Sequence, residues 1–218
     1  MPLTSETQTK IAEYLLQIKA IKLQPQEPFL WASGWKSPIY CDNRVSLSFP
    51  VIRTYIRQQM VKLVQEEFGT PEIIVGIATA GIPQGVLIAQ ELGLPFAYVR
   101  SAPKDHGRQN IIEGEVGEGQ RAVLIEDLVS TGKSSLNAIS ALKDKGVEVV
   151  GLVSIFNYGF EEAEKAFQKI RCRFFSLSNY DILLDVAVKN NYINASHLEI
   201  LRVWRLNPSN WGQVVVSK

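Results

Sequence analysis

The chain has 218 residues, of which 46% are hydrophobic, so it is long and apolar enough to bury one full core. Its net charge of +1 gives no support for a nucleic-acid or an anionic membrane partner. The first residues are polar, and no stretch reaches the ~18 consecutive apolar residues of a membrane span. We expect a single domain over residues 1–218, a cytoplasmic location, and neither nucleic acid nor membrane as a partner.

The first part of the chain predicts two helices separated by an irregular segment. Apolar residues at helical spacing over residues 11–23 indicate an opening helix. Residues 27–45 are rich in aromatic residues, Ser, Gly and Pro, and we interpret them as a short strand pair or an irregular cover. A second helix is predicted from residue 48 to Gly69.

From residue 73 onward the pattern alternates between buried strands and amphipathic helices. The predicted strands are residues 73–77, 96–100, 122–126, 147–156 and 172–177. The predicted helices are residues 83–92, 134–145, 161–169, 181–188 and 198–204. This order predicts an α/β fold with a mainly parallel central sheet flanked by helices. Ligands of such sheets bind beyond the carboxyl ends of the strands.

The two cysteines, Cys41 and Cys172, are too few to form a disulfide framework. We interpret them as free thiols in a reducing compartment. A disulfide between them stays open as an alternative.

Residues 123–135 carry the strongest functional signal. Three buried-type aliphatic residues lead into two adjacent acids, Glu126 and Asp127, followed by a small polar loop over residues 130–134 and a helix start. Such a loop turns several backbone N–H groups toward one point at a helix N-terminus, where a phosphate binds. The acids can hold sugar hydroxyls, or a metal that bridges to them. The segment therefore predicts a site for a phosphorylated sugar.

This segment has two other interpretations. An ordinary strand–turn–helix unit without a ligand would not explain the acids, because burying unpaired carboxylates is costly. A nucleotide P-loop is suggested by Gly132, Lys133 and Ser134, but that motif needs a further glycine where this chain has Asp127. The spacing excludes the P-loop.

The segment resembles the phosphoribosyl-diphosphate (PRPP) signature of the type I phosphoribosyltransferases. Residues 29–44 and 98–107 are similar to stretches of the orotate phosphoribosyltransferases, and the likeness extends from about the first helix to the last strand. The resemblance implies the type I phosphoribosyltransferase fold with a small N-terminal hood, formed mainly by residues 1–45. It also implies transfer of the 5-phosphoribosyl group from PRPP to orotate, giving orotidine 5′-monophosphate and pyrophosphate in pyrimidine (UMP) synthesis.

The same resemblance implies roles for individual residues. Glu126 and Asp127 would meet the ribose hydroxyls, directly or through magnesium (Mg2+), the expected cofactor, carried by PRPP. The implied catalytic residues are Lys104, His106 and Asp127. The implied PRPP-binding residues are Arg100, Lys104, His106, Glu126, Asp127, Leu128, Val129, Ser130, Thr131, Gly132, Lys133 and Ser134.

A second turn, formed by Ala78, Thr79, Ala80 and Gly81, follows the first core strand. Its small residues allow a ligand close to the backbone, so we expect it to bind the diphosphate. It also resembles a weak dinucleotide fingerprint, but the next strand ends in Arg100 where that motif needs an acid. The enterobacterial orotate enzymes have a lysine at Ala80, so one diphosphate contact is missing here or comes from elsewhere.

Residues 101–119 form a long polar loop with several glycines. Such a loop is often a lid, although a solvated basic loop is the plainer interpretation. The resemblance implies a homodimer in which this lid closes over the neighbouring subunit's site, bringing Lys104 and His106 to the leaving diphosphate. The family's second lysine falls at Ser101 and is lost.

Orotate recognition is the least determined step. The resemblance puts Ser130 near the orotate and residues 31–37 over it. The enterobacterial pattern has a lysine at Ala32 and an arginine near Tyr158, and both are absent. Lys36 is the candidate partner of the orotate carboxylate. A purine-base phosphoribosyltransferase and a non-catalytic PRPP-sensing regulator stay open as alternatives.

Overall fold

The computed structural model of this chain describes residues 4–31, 33–101 and 111–211. The helices are α1 (Ser5–Gln17), α2 (Pro50–Phe68), α3 (Gly81–Leu92), α4 (Lys133–Lys143), α5 (Glu161–Lys169), α6 (Tyr180–Lys189) and α7 (Leu198–Leu206). The strands are β1 (Ile21–Leu23), β2 (Phe29–Leu30), β3 (Lys36–Ser37), β4 (Ile39–Cys41), β5 (Ile73–Ile77), β6 (Phe96–Val99), β7 (Ile112–Glu113), β8 (Arg121–Val129), β9 (Glu148–Asn157) and β10 (Phe174–Asn179). Short 3-10 helices cover Asn43–Ser48 and Ala195–His197.

The central sheet has the strand order β10-β9-β8-β5-β6-β7, and its pairs are parallel except for β6 with β7. Alternate side chains of β5 point to opposite faces of the sheet, since Ile74 packs into one apolar cluster while Ile73 and Val75 pack into the other. The sheet is therefore covered on both sides, as the run of apolar residues in its strands requires. The predicted α/β class with a mainly parallel sheet is confirmed.

The segment before α2 forms two small antiparallel pairs, β1 with β4 and β2 with β3. The expected helix over residues 11–23 is too long, because α1 ends at Gln17 and Lys19 adopts a left-handed φ of 58°. The apolar residues Ile21 and Leu23 instead enter β1 and pair with β4. The pairing of these residues with β4 therefore determines the local structure, although their spacing in the sequence is that of a helix.

Two predicted boundaries also move. The strand that carries the acids was expected to end at Glu126, but β8 continues to Val129, because Leu128 and Val129 pair with the end of β9. The expected loop over residues 101–119 contains β7, which pairs antiparallel with β6. A two-residue strand leaves no periodic signal in the sequence.

Both cysteines are free thiols, as predicted, and each is partly buried. Within the described residues, none of the helices combines the length and the apolar character needed to cross a membrane.

Candidate active site

The acid pair lies where β8 runs past its shorter neighbour in the sheet. Pairing of β8 with β5 ends at Ile125 opposite Gly76, whereas pairing with β9 continues to Val129. Glu126 and Asp127 therefore lie at the carboxyl edge of the sheet, beside the turn that follows β5. This is the edge where parallel sheets place their ligands.

Glu126 is held inside this edge, with only 5% of its surface exposed. One of its carboxylate oxygens accepts a hydrogen bond from the Asp127 backbone N–H at 3.1 Å, and the other accepts from the Ser134 hydroxyl at 3.3 Å. Burial, followed by the neighbouring Asp127 carboxylate, raises the pKa of Glu126 well above its usual range. Burial also raises the pKa of Asp127. The two neighbouring carboxyl groups are therefore suited to bind hydroxyl donors or a cation.

The loop after β8 presents free backbone donors. Gly132 has a left-handed φ of 78° directly before Lys133, the first residue of α4, and an added Cβ there would lie 3.2 Å from the Phe167 ring. In the part of the chain that the structure describes, no side chain caps α4. Its first N–H groups are therefore available to an anion such as a phosphate.

The turn over residues 78–81 packs directly against β8. A Cβ on Gly81 would overlap the Ile125 carbonyl oxygen, so only glycine allows this approach. The peptide bond between Ala78 and Thr79 is cis, and the Ala78 N–H donates to the Val99 carbonyl at 2.8 Å. The predicted diphosphate turn thus lies next to the acid pair.

Arg100 lies at the end of β6 and lines a cavity of about 210 Å³ between this turn and α4. The lining residues are Ile77, Ala78, Val99, Arg100, Ser101, Lys133, Ser134, Asn137 and Ala138. The Arg100 guanidinium is 3.7 Å from the Glu113 carboxylate. The structure thus brings one predicted cation and Lys133 to the same cavity. Lys104 and His106 lie outside the described residues.

A second cavity, of about 510 Å³, separates the acid-bearing strand from the hood. The described residues that line it are Leu30, Trp31, Ser33, Tyr40, Cys41, Leu128, Ser130 and Tyr158. Ser130, predicted to lie near the base, is one of them. Lys36 is exposed on β3, and its cross-strand partner Leu30 lines the cavity.

Asn43 is a site residue to which the sequence assigned no role. It is buried, with 1% exposed, and its side-chain amide donates to the Asp127 carbonyl at 2.7 Å. Its amide oxygen accepts from the Cys41 thiol at 3.3 Å. Asn43 thus connects the cavity wall to the acid pair. Asn43 begins the 3-10 helix Asn43–Ser48, which Asp42 caps. The local sequence does not indicate its hydrogen bond to Asp127, which lies 84 residues farther along the chain.

The described residues contain no group of three or more His, Cys, Asp or Glu side chains placed to hold a metal ion. Glu126 and Asp127 are two adjacent carboxylates at this edge of the sheet, and the Glu113 carboxylate lies farther along it, against Arg100. A metal here would therefore need further ligands from a substrate or from water.

Comparison with known proteins identifies the family. Residues 51–189 match the phosphoribosyl transferase domain. An orotate phosphoribosyltransferase of Phocaeicola vulgatus is 52% identical over 200 residues, which cover 92% of this chain and 94% of that protein. The chain belongs to the orotate phosphoribosyltransferase family. Both predicted signatures of this phosphoribosyltransferase, the acid pair and the 78–81 turn, lie inside the matched domain.

Solved structures agree with the fold of this phosphoribosyltransferase. The UMP synthase of Leishmania donovani has a TM-score of 0.76 and 27% identity, and the alignment covers 90% of this chain but only 42% of that longer chain. The orotate phosphoribosyltransferase of Aeropyrum pernix has a TM-score of 0.73 and 24% identity, over 84% of this chain and 99% of that chain. At this identity, the second match supports the fold alone.

Proposed function

We propose that this chain transfers the 5-phosphoribosyl group from PRPP to orotate, giving orotidine 5′-monophosphate and pyrophosphate in UMP biosynthesis. The observation that carries the proposal is the position of Glu126 and Asp127, between the phosphate-type loop on one side and the hood cavity on the other. The similarity to curated orotate phosphoribosyltransferases at 52% identity supports the same activity.

PRPP would span the acid pair. Its ribose hydroxyls donate to the carboxylates of Glu126 and Asp127, and its 5′-phosphate accepts from the N–H groups of residues 130–134 at the start of α4. Its diphosphate lies in the cavity bordered by Ala78 and Arg100. Each part of the substrate thereby meets the type of group that binds it best.

Catalysis then rests on placement and charge. The sugar becomes cationic as the diphosphate leaves, so the anionic pair stabilises the transition state more than the ground state. Arg100, and by resemblance Lys104 and His106, stabilise the charge on the leaving group. Orotate attacks already ionised at its nitrogen, so neither a strong base nor a covalent intermediate is needed, and the sugar carbon is inverted.

Magnesium fits these residues as a cofactor that arrives with PRPP. Glu126 and Asp127 supply the carboxylate oxygens that this ion prefers, and among the described residues no Lys, Arg or His side chain hydrogen-bonds either carboxylate. When bound, the ion would neutralise part of the charge on the diphosphate and the acids.

Orotate would occupy the hood cavity, with Ser130 at its inner wall and Lys36 at its rim toward the carboxylate. We also propose that residues 1–218 act as one cytoplasmic domain. A homodimer whose residues 101–119 close over the neighbouring site is supported by the family resemblance. The exposed apolar side chains of Phe49, Val51 and Val86 support a further surface, besides residues 101–119, on which the two subunits make contact.

The test is the loss of orotate absorbance with PRPP and magnesium. We expect turnover by the unchanged enzyme and a fall of about 100-fold in kcat/KM for Asp127→Asn, because one anionic contact to the sugar is lost. Asp144→Asn, an exposed carboxylate at the end of α4, serves as the matched control and should keep full activity. Consumption of adenine or hypoxanthine in place of orotate would contradict the proposal.

A further inference from the structure

Tyr158 closes the inner end of the hood cavity and is held there rigidly. Only 1% of the residue is exposed, and its backbone N–H donates to the Val129 carbonyl at 3.1 Å. Five aromatic rings lie within 6.3 Å of its ring centroid: Trp31, Phe156, Phe160, Tyr180 and Trp204. A ring packed on so many sides has one accessible orientation.

Tyr158 lines the cavity, and we place its hydroxyl at the cavity wall. No group in the described part of the chain hydrogen-bonds this oxygen, and unlike the indole N–H of Trp204 it is not fully enclosed. The space that reaches it is the cavity whose wall Tyr158 forms. A phenol in a nearly dry aromatic cluster normally finds a hydrogen-bond partner, so a ligand in the cavity is its available partner.

The other polar groups of the cavity are few and neutral. The Cys41 thiol already donates to Asn43. Of the described lining residues none is Lys, Arg or His. A planar base would therefore be recognised by aromatic contact with Trp31 and Tyr40 and by neutral donors.

We infer that Tyr158 is a specificity-determining residue of the base site, and that its hydroxyl donates a hydrogen bond to a ring carbonyl oxygen of the pyrimidine. The inference rests on the proposed function, because it assigns the base to this cavity. It gives Tyr158 a role in the binding of the acceptor, separate from the binding of PRPP.

The ring carbonyl, and not the carboxylate of orotate, is the partner that the surroundings favour. Burial raises the pKa of the Tyr158 phenol well above its usual range, with further contributions from Cys41, Tyr180 and Asp127. The group is therefore a neutral donor at any working pH. A substrate carboxylate placed there would face Asp127 in a poorly solvated space and be repelled. At the open rim, near Lys36, the carboxylate stays solvated.

Tyr158→Phe tests the inference, since it keeps the ring and removes only the hydroxyl. We expect the KM for orotate to rise about tenfold, while kcat and the KM for PRPP stay within about twofold. Tyr180→Phe is the matched control, because its hydroxyl donates to the Leu201 carbonyl at 3.0 Å within the same cluster but outside the cavity. That variant should lower the melting temperature without changing the KM for orotate.

Uracil distinguishes the two possible partners, because it keeps the ring carbonyls and lacks the carboxylate. Its inhibition constant against orotate should rise by the same factor in Tyr158→Phe. A loss confined to orotate, an unchanged KM for orotate, or an equal rise in Tyr180→Phe would each overturn the inference. If the unchanged enzyme consumed no orotate at all, the proposed function would fall as well, so the two failures are distinguishable.

Discussion

The two turns beside the acid pair are each one continuous stretch of chain, residues 78–81 and 126–134, whereas the hood cavity is assembled from three separate stretches, residues 30–41, 128–130 and Tyr158. The first region is built mainly from backbone N–H groups and two carboxylates. The second is built mainly from aromatic and apolar side chains. The two regions share β8, which carries both acids and also Leu128 on the cavity wall.

This difference separates what each region is able to recognise. Backbone donors at a helix start bind any phosphate, so the PRPP side depends on geometry more than on side-chain identity. An aromatic cavity selects by shape and by a few polar atoms, so the base side depends on individual side chains. Substitutions in the first region should abolish turnover with any base, and those in the second should change which base is used.

Gly81→Ala should give the largest effect, because it forces the diphosphate turn away from β8. The new Cβ would overlap the Ile125 carbonyl, and a backbone atom of a central strand has little freedom to move. We expect a loss of about 2–3 kcal/mol of stability and about 100-fold in kcat/KM for PRPP. Urea denaturation and initial-rate kinetics measure the two quantities.

Gly117→Ala is the matched control for the stability measurement alone, because residue 117 lies in the segment proposed as the lid. An added Cβ at Gly117 meets only the Gln120 side chain at 3.9 Å, and stability should stay within about 0.5 kcal/mol. A Gly81→Ala enzyme with normal kinetics would mean that close packing of the turn on β8 does not position the diphosphate.

The PRPP side could be predicted from the sequence because its signals are local. The two acids, the single glycine of the loop and the start of α4 lie within a few residues of one another, so chain connectivity brings them together. The exact end of β8 was not predictable, because its last residues are strand only by pairing with Phe156 and Asn157 of β9.

The base side was not predictable to the same degree. Tyr158 directly follows an apolar strand, where a tyrosine has the same sequence pattern as a core residue, and only the fold shows that it lines a cavity. The hood strands are two or three residues long and exist because they pair. The roles of Lys36, Ser130 and Arg100 stay predictions, as do those of Lys104 and His106.

Asn43→Ala should give an intermediate effect, because it breaks the link between the two regions. The Asp127 carbonyl loses its 2.7 Å hydrogen bond, and the Cys41 thiol loses its acceptor. We expect kcat/KM for PRPP to fall about tenfold, in line with the ~1–3 kcal/mol cost of an unsatisfied buried group. Steady-state kinetics with each substrate varied would show the change.

A charge-changing variant makes the test of Asn43 sharper. Asn43→Asp keeps the shape but turns a carboxylate toward the Asp127 carbonyl, so its loss should exceed that of the alanine variant. Asn190→Ala, on the exposed end of α6, should behave as the unchanged enzyme. Equal kinetics in Asn43→Ala and the unchanged enzyme would show that the two regions act independently.

The smallest effect concerns the two thiols, of which only Cys41 lines the base cavity. Burial raises the pKa of Cys172 from 9.0 to about 11, and burial together with Asp127 raises that of Cys41 well above its usual range. Only thiolates alkylate, so native Cys172 at pH 9 should react with iodoacetamide about 50-fold more slowly than in urea. Because its folded pKa lies above the unfolded value, the stability linked to Cys172 is present below pH 9 and is lost as the pH rises toward 11.

Ligand protection of the same thiols separates the two regions directly. Orotidine 5′-monophosphate should fill both regions and slow the alkylation of Cys41 several-fold. Ribose 5-phosphate should fill only the region around the acid pair and leave the alkylation rate of Cys41 unchanged. Cys172 is the internal control and should react equally with either ligand. Peptide mass spectrometry follows both residues in one sample. Protection of Cys41 by ribose 5-phosphate would mean that the cavity closes when the phosphate loop is filled, so that the two halves of the site are one binding unit.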